Sequence, residues 1–234
     1  MKKFVILSHG RTGSTALCDG LNKNPAICCA YELFGPNNQK KPYEDIDNYQ
    51  NGSGWDYVDH FFKSRQVGAI GFKMFTFHAR NNHDQLTAWD YLIQHHDIDC
   101  IVLSRRDLLM SYISEERAKQ SGKWHPSPQG DNKGLEKKIY IDPVEAERYL
   151  YRISAELDWA RNKFHNHRMI DIYYEDMLSD FELVVKDVSE FIGVEYENSG
   201  VTFDSLLGMD MSAVVGDYDD LANYLSHTIF NRNA

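Results

Sequence analysis

FVILSHGRTGSTALCDGL, residues 4–21, decides the fold. Four apolar, partly β-branched residues run into His9-Gly10, and with Lys2 and Lys3 ahead of them residues 2–8 predict a short buried strand. From Ser14 to Leu21 apolar positions recur at helical spacing, and Asn24-Pro25 closes that helix. The turn between holds one arginine, two glycines and three hydroxyls: Gly10, Arg11, Thr12, Gly13, Ser14 and Thr15. A helix start exposes unpaired N–H groups and the positive end of its dipole. Gly10 and Gly13 let the backbone curl around an anion, the hydroxyls offer donors, and Arg11 adds a permanent charge with a fork that fits tetrahedral oxyanions. The competing reading is an ordinary turn, with Ser14 or Thr15 as N-cap and Arg11 in solvent. Five suited residues at a strand-to-helix junction favour the anion site.

Outward from this stretch the pattern repeats. Strand-like runs recur at 26–31, 69–77, 99–104 and 169–174, and helical periods at 55–65, 85–96, 106–120, 143–165 and from 180 to about 192. Asp142-Pro143 reads as an N-cap followed by proline at the first helical position, and Gly193 as a helix stop. Residues 35–54 and 121–134 read as surface loops, and the last forty residues show no clear period. Strand–helix alternation predicts an α/β fold of three layers, with a mostly parallel central sheet and helices on both faces. The expectation is one domain over 1–234, its core at about 3–192 and a C-terminal extension at 193–234. Ligands of such sheets lie beyond the carboxyl ends of the strands, here Ser8, Tyr31, Phe75 and Ser104.

Bulk properties narrow the partners. A net charge of −10 disfavours nucleic acid, and 42% hydrophobic with 13% aromatic residues fits a folded globular chain. No apolar run is long enough to span a bilayer, and MKKFVIL lacks a small-residue cleavage site, so a secretory signal is not expected. Cys18, Cys28, Cys29 and Cys100 match no zinc spacing, and adjacent Cys28 and Cys29 pair poorly. Reduced thiols in a cytoplasmic protein follow, with no metal. A nucleoside-triphosphate loop would need G-x-x-x-x-G-K-[ST], and that lysine is missing, which weighs against a kinase-like phosphotransferase.

RTGSTALC resembles the 5′-phosphosulfate loop of sulfotransferases that use 3′-phosphoadenosine 5′-phosphosulfate (PAPS), closest to the bacterial branch of trehalose 2-sulfotransferase and the Nod-factor sulfotransferases. A second stretch, LSRRDLLMSYISEERAKQSGKWH at 103–125, resembles that family's 3′-phosphate motif. The motif sets an arginine at a strand end and a serine eight residues later, here Arg106 and Ser114. Just over two helical turns separate them, so both would face one side. The branch also carries a similar R-R-D start and an R-A-x-Q-T-G-x-W-H finish, seen here at Arg105–Asp107 and Arg117–His125.

The resemblance implies the P-loop-NTPase-like sulfotransferase fold, PAPS as co-substrate, and sulfuryl transfer to a hydroxyl of a small-molecule or glycan acceptor. Arg11, Thr12, Gly13, Ser14 and Thr15 would hold the phosphosulfate, and Arg106 with Ser114 the 3′-phosphate. Glu32, in AYELF after the second strand, falls where the family has its general base, and Arg11 would stabilise the leaving group. Lys73, in the apolar run GFKMF, is costly to bury unless paired. It either faces the site, as the branch's G-x-K does, or makes a structural ion pair. Trp124, His9 and His125 are further candidates for substrate contact, each with packing as its bland alternative. Tyr174-Glu175-Asp176 resembles the family's Y-E-D element and reads as structural, capping the next helix and tying it to the sheet. A catalytically inactive nucleotide-binding module is the remaining rival.

Overall fold

The computed structural model describes residues 1–34, 53–78, 87–122, 138–201, 203 and 214–228. They form two compact units, residues 1–106 with 157–203 and residues 107–156 with 204–234.

The first unit is built on a five-stranded sheet. In chain order the strands are β1 (Lys2–Ser8), β2 (Ile27–Glu32), β3 (Ala69–Phe75), β4 (Ile98–Ser104) and β5 (Met169–Tyr173). All pairings are parallel and the spatial order is β2-β3-β1-β4-β5. Phe4 to Leu7 are fully buried, as are Ile101 to Leu103, which is why these strands read as unbroken apolar runs rather than alternating ones.

Helices cover both faces. Leu17 and Leu21 of α1 (Ser14–Leu21), Met177 of α6 (Tyr174–Ser179) and Val184, Val185 and Val188 of α7 (Phe181–Phe191) share a core with Phe4, Ile6, Cys29, Ile101 and Leu103. Phe72, next along β3 from Gly71 in that register, points to the opposite face. There it meets Phe61 and Phe62 of α2 (Gly54–Lys63) at ring distances of 5.3 and 5.8 Å. α3 (Ala88–Gln94) joins that layer through Tyr91, 6.1 Å from Phe62. α2 and α3 each start on a capping box, Ser53 with Asp56 and Thr87 with Asp90.

The second unit holds α4 (Leu108–Ser121), the greater part of α5 (Pro143–Lys163) and α8 (Tyr218–Thr228). Asp107 caps α4 through the Met110 N–H, and Gly122 ends it in the left-handed region, φ 69°. Asp142 accepts the Val144 N–H at 2.9 Å, as Asp142-Pro143 suggested. Tyr112 packs on Tyr149 at 5.0 Å, Ile139 bridges to Val215, and the Tyr224 hydroxyl donates to Glu147 at 3.0 Å.

One expectation is corrected and two helices are added. The closing helix begins where the stretch DFELVVKDVSEFIGV places it, but a separate short helix, α6, precedes it, and Asp180, with extended backbone (φ −154°), turns its carboxylate to cap α7 through the Leu183 N–H. Asp180, not Tyr174-Glu175-Asp176, is therefore the cap. The tail also contains a helix: among the described side chains of α8 Leu221 and Leu225, one turn apart, are the buried ones, too sparse a stripe to stand out as a period. The expected loops fall almost wholly outside the described residues.

Candidate active site

Beyond the carboxyl ends of the five strands, the first unit gathers nearly every chemically useful residue that the sequence singles out. After β1 the chain passes through His9 and Gly10 into Arg11, whose φ of 65° makes it the one non-glycine residue with positive φ among those described. That conformation costs an arginine roughly 1–2 kcal/mol relative to right-handed backbone, and strain of this kind collects where a loop must hold an unusual shape for a purpose. The Thr12 hydroxyl donates to the His9 carbonyl at 3.1 Å, stapling the loop from inside, and His9 Nδ1 donates to the Gly10 carbonyl at 2.9 Å.

Gly13 begins α1. It has a φ of 75°, and a Cβ placed there would meet Met177 Cε at 2.7 Å and Phe203 Cζ at 2.8 Å, so both conformation and space demand glycine. Gly13 stands at the N-cap position and has no side chain to cap with. The expected alternative of Ser14 or Thr15 as N-cap is thereby corrected, since both residues lie inside α1. The first-turn N–H groups have no partner within the helix itself.

The Thr15 hydroxyl instead accepts from Lys73 Nζ at 3.1 Å. Lys73 lies on β3 in register with Ile6, on the α1 face of the sheet, and its side chain is 3% exposed. The same ammonium stands 3.1 Å from Glu32 Oε1, at the end of β2, where the register slips between Ala30 and Glu32. Glu32 keeps 31% of its side chain exposed. One buried cation thus ties the carboxylate at one strand end to the first turn of α1. Lys73 thus makes the buried ion pair that was one of the two roles expected of it.

Two residues escaped the sequence reading. His78, three residues past β3, is buried; its Nδ1 accepts the Phe75 N–H at 3.3 Å, and its carbonyl accepts from Trp89 Nε1 at 2.8 Å. Burial lowers its pKa below the usual histidine range, against a rise from the Glu32 charge and with a further lowering from Lys73. Phe75 and Phe77 pack on the His78 ring at 5.0 and 4.8 Å. A histidine just past a strand end carries no signal of its own, because its role depends on how the turn folds back. Arg105 is the other, named from the sequence only as part of the R-R-D start. It is buried, with its guanidinium 4.2 Å from the Tyr174 ring and Nε 3.8 Å from Glu175.

Arg106 forms a two-pronged ion pair with Asp176, Nη1 to Oδ1 at 2.7 Å and Nη2 to Oδ2 at 2.9 Å, and lies 4.1 Å over the Tyr173 ring. Its backbone N–H donates to Glu175 at 3.0 Å. Glu175 and Asp176 therefore lash the end of β4 to the end of β5. The shared-face expectation for Arg106 and Ser114 does not hold as stated, because helical geometry starts at Leu108 and Arg106 precedes it. Ser114 is buried on α4 in the second unit. Trp124 and His125 lie outside the described residues.

Among the described residues there is no cluster of metal-ligating side chains and no helix long and apolar enough to cross a membrane. All four cysteines are buried thiols outside any disulfide.

The family model described as "Sulfotransferase family" matches residues 4–198. The chain belongs to the sulfotransferase family. Three solved sulfotransferases share its fold. One from Alicyclobacillus acidocaldarius has a TM-score of 0.51 and 17% identity, over 98% of this chain and 96% of that one. STF9 from Mycobacterium avium has a TM-score of 0.52 and 14% identity, over 98% and 76%. The mouse sulfotransferase SULT7A1, complexed with PAP, has a TM-score of 0.50 and 12% identity, over 98% and 85%. A comparison with curated proteins found no match. The glycine-bearing loop follows β1 and the Lys73-paired carboxylate ends β2, with β3 between the two strands.

Proposed function

We propose that this sulfotransferase moves the sulfuryl group of PAPS to a hydroxyl on a carbohydrate or glycolipid, with Glu32 as general base. The observation that carries this reading is the bridge from Glu32 through Lys73 to Thr15. It holds a carboxylate beside the one helix start whose shape suits a phosphosulfate. In the step, the acceptor O–H gives its proton to Glu32 as its oxygen bonds to sulfur, and the bond from sulfur to the 5′-phosphate oxygen breaks. Charge gathers on the departing phosphate, where Arg11, the N–H groups of Gly13 to Thr15 and the Lys73 ammonium stabilise it. Thr12 shapes the loop from within, and Ser14 lines the helix start. Arg106 and Ser114 take the 3′-phosphate in this reading, Arg106 sharing its fork with Asp176. The R-R-D and R-A-K-Q-S-G-K-W-H stretches support placement in the trehalose and Nod-factor branch, and reduced buried cysteines support a cytoplasmic location.

The test is incubation with ³⁵S-labelled PAPS and a panel of sugars, glycolipids and simple alcohols. Label transferred by the wild type and abolished in Glu32→Gln, with PAP affinity retained, supports the assignment. Transfer that survives Glu32→Gln removes Glu32 as the base.

A further inference from the structure

We propose that the turn closing β3 is the acceptor's ring subsite: Phe77, backed by Phe75 and His78, offers a flat platform for a hydroxyl borne on a six-membered ring. The inference rests on the reading of Glu32 as the base, and it adds the shape of what the base acts on.

Phe77 is 51% exposed, although the turn that carries it is otherwise anchored. The His78 N–H donates to the Phe75 carbonyl at 2.9 Å, the Phe75 N–H donates to His78 Nδ1 at 3.3 Å, and Trp89 Nε1 holds the His78 carbonyl at 2.8 Å from α3. Three backbone or ring contacts thus fix a turn whose outermost side chain is a bare phenyl ring. Its neighbours are aromatic too: Phe77 lies 5.5 Å from Phe75, at 41°, and 4.8 Å from His78, edge to face at 81°. Such a cluster presents a preorganised apolar face and loses little side-chain freedom on binding.

Its place gives it a purpose. Lys73 Nζ stands 5.2 Å from the centre of the Phe75 ring and 3.1 Å from Glu32, so the platform and the carboxylate meet at the same ammonium. A ring stacked on Phe77 brings a substituent hydroxyl toward Glu32, while an open-chain alcohol has no flat face to offer. With Nδ1 taken by the Phe75 N–H, the neutral His78 ring carries its proton on Nε2, a donor for a second ring oxygen. Two chemistries share this shape, the C–H face of a pyranose and the ring of a phenol.

Saturation-transfer NMR on the full chain with PAP present decides it, using methyl β-D-glucopyranoside, phenol and sorbitol as probes. We expect the glucoside or the phenol to bind, Phe77→Ala to weaken it about five- to tenfold, Phe77→Tyr to keep it, and sorbitol to stay silent. The ring probe that binds identifies the acceptor class. Absence of both ring probes, equal binding by sorbitol, or indifference to Phe77→Ala overturns the proposal. Wild-type protein that fails to bind PAP while the probe pattern holds would instead strike at the nucleotide reading.

Discussion

Lys73 Nζ and Glu32 Oε1 stand 3.1 Å apart across the ends of β3 and β2, and the same nitrogen reaches Thr15 Oγ1 at 3.1 Å. A carboxylate and the first turn of a helix therefore share one buried proton donor. Glu32→Gln keeps the shape of this bridge and removes its charge. We expect turnover to fall at least about 100-fold, in the range of a lost general base, with PAP affinity within twofold by calorimetry. The melting temperature should also drop, because the buried ammonium loses its counter-ion.

Arg11 sets charge against backbone comfort. Arg11→Gly frees a residue held at φ 65° and removes the guanidinium. The relief of about 1 kcal/mol is offset by a similar entropic cost of glycine in the unfolded chain. Denaturant unfolding should therefore shift by less than about 1 kcal/mol, while PAP affinity falls roughly tenfold or more for lost charged hydrogen bonds. A variant that unfolds easily yet binds PAP normally would contradict the role in binding.

Arg106 is gripped by Asp176 through both terminal nitrogens. If the guanidinium also serves a 3′-phosphate, Arg106→Ala should weaken PAP about tenfold while leaving adenosine 5′-monophosphate, which lacks that phosphate, unaffected. Asp176→Asn should strengthen PAP by loosening the competing grip. Equal losses for both nucleotides would reduce Arg106 to a tie between strand ends.

His78 makes stability depend on pH. Burial, aided by Lys73 and opposed by Glu32, depresses its pKa in the folded chain. Above the ordinary histidine range the ring is neutral in both states and the fold carries no penalty. As pH falls through about 6.5, the unfolded chain takes up the proton first, so stability declines with falling pH. In His78→Gln that part of the slope should vanish, as measured by urea unfolding between pH 7.5 and 5.

Gly13→Ala should cost about 1–3 kcal/mol from the left-handed backbone alone, with the contacts to Met177 and Phe203 adding to it. Anion binding should weaken with it, since the loop cannot keep its shape.

Much of this was legible because buried parallel strands write themselves as apolar runs. β1, with Phe4 to Leu7 sealed on both faces, and β4, with Ile101 to Leu103, are plain for that reason. Asp107 and Asp142 announce α4 and α5 because a cap is a local device that needs only its own next three residues. The short helix α6 stayed hidden, since six residues between a strand end and the Asp180 cap are too few to show a period. In the site, Arg11, Gly13 and Lys73 stood out as residues whose cost demands a reason. His78 and Arg105 did not, because their burial comes from a fold-back onto Trp89 and Tyr174 that no short window contains.

Phe203 lies beyond the stretch that matches the family model, yet its ring stacks on Phe181, 5.3 Å away, meets Tyr174 at 5.5 Å, and closes the space beneath Gly13. A chain cut back to the end of α7 would retain every signature of the first unit and still lose the floor under the anion loop. For this enzyme, an intact catalogue of motifs is no guarantee of a working cradle.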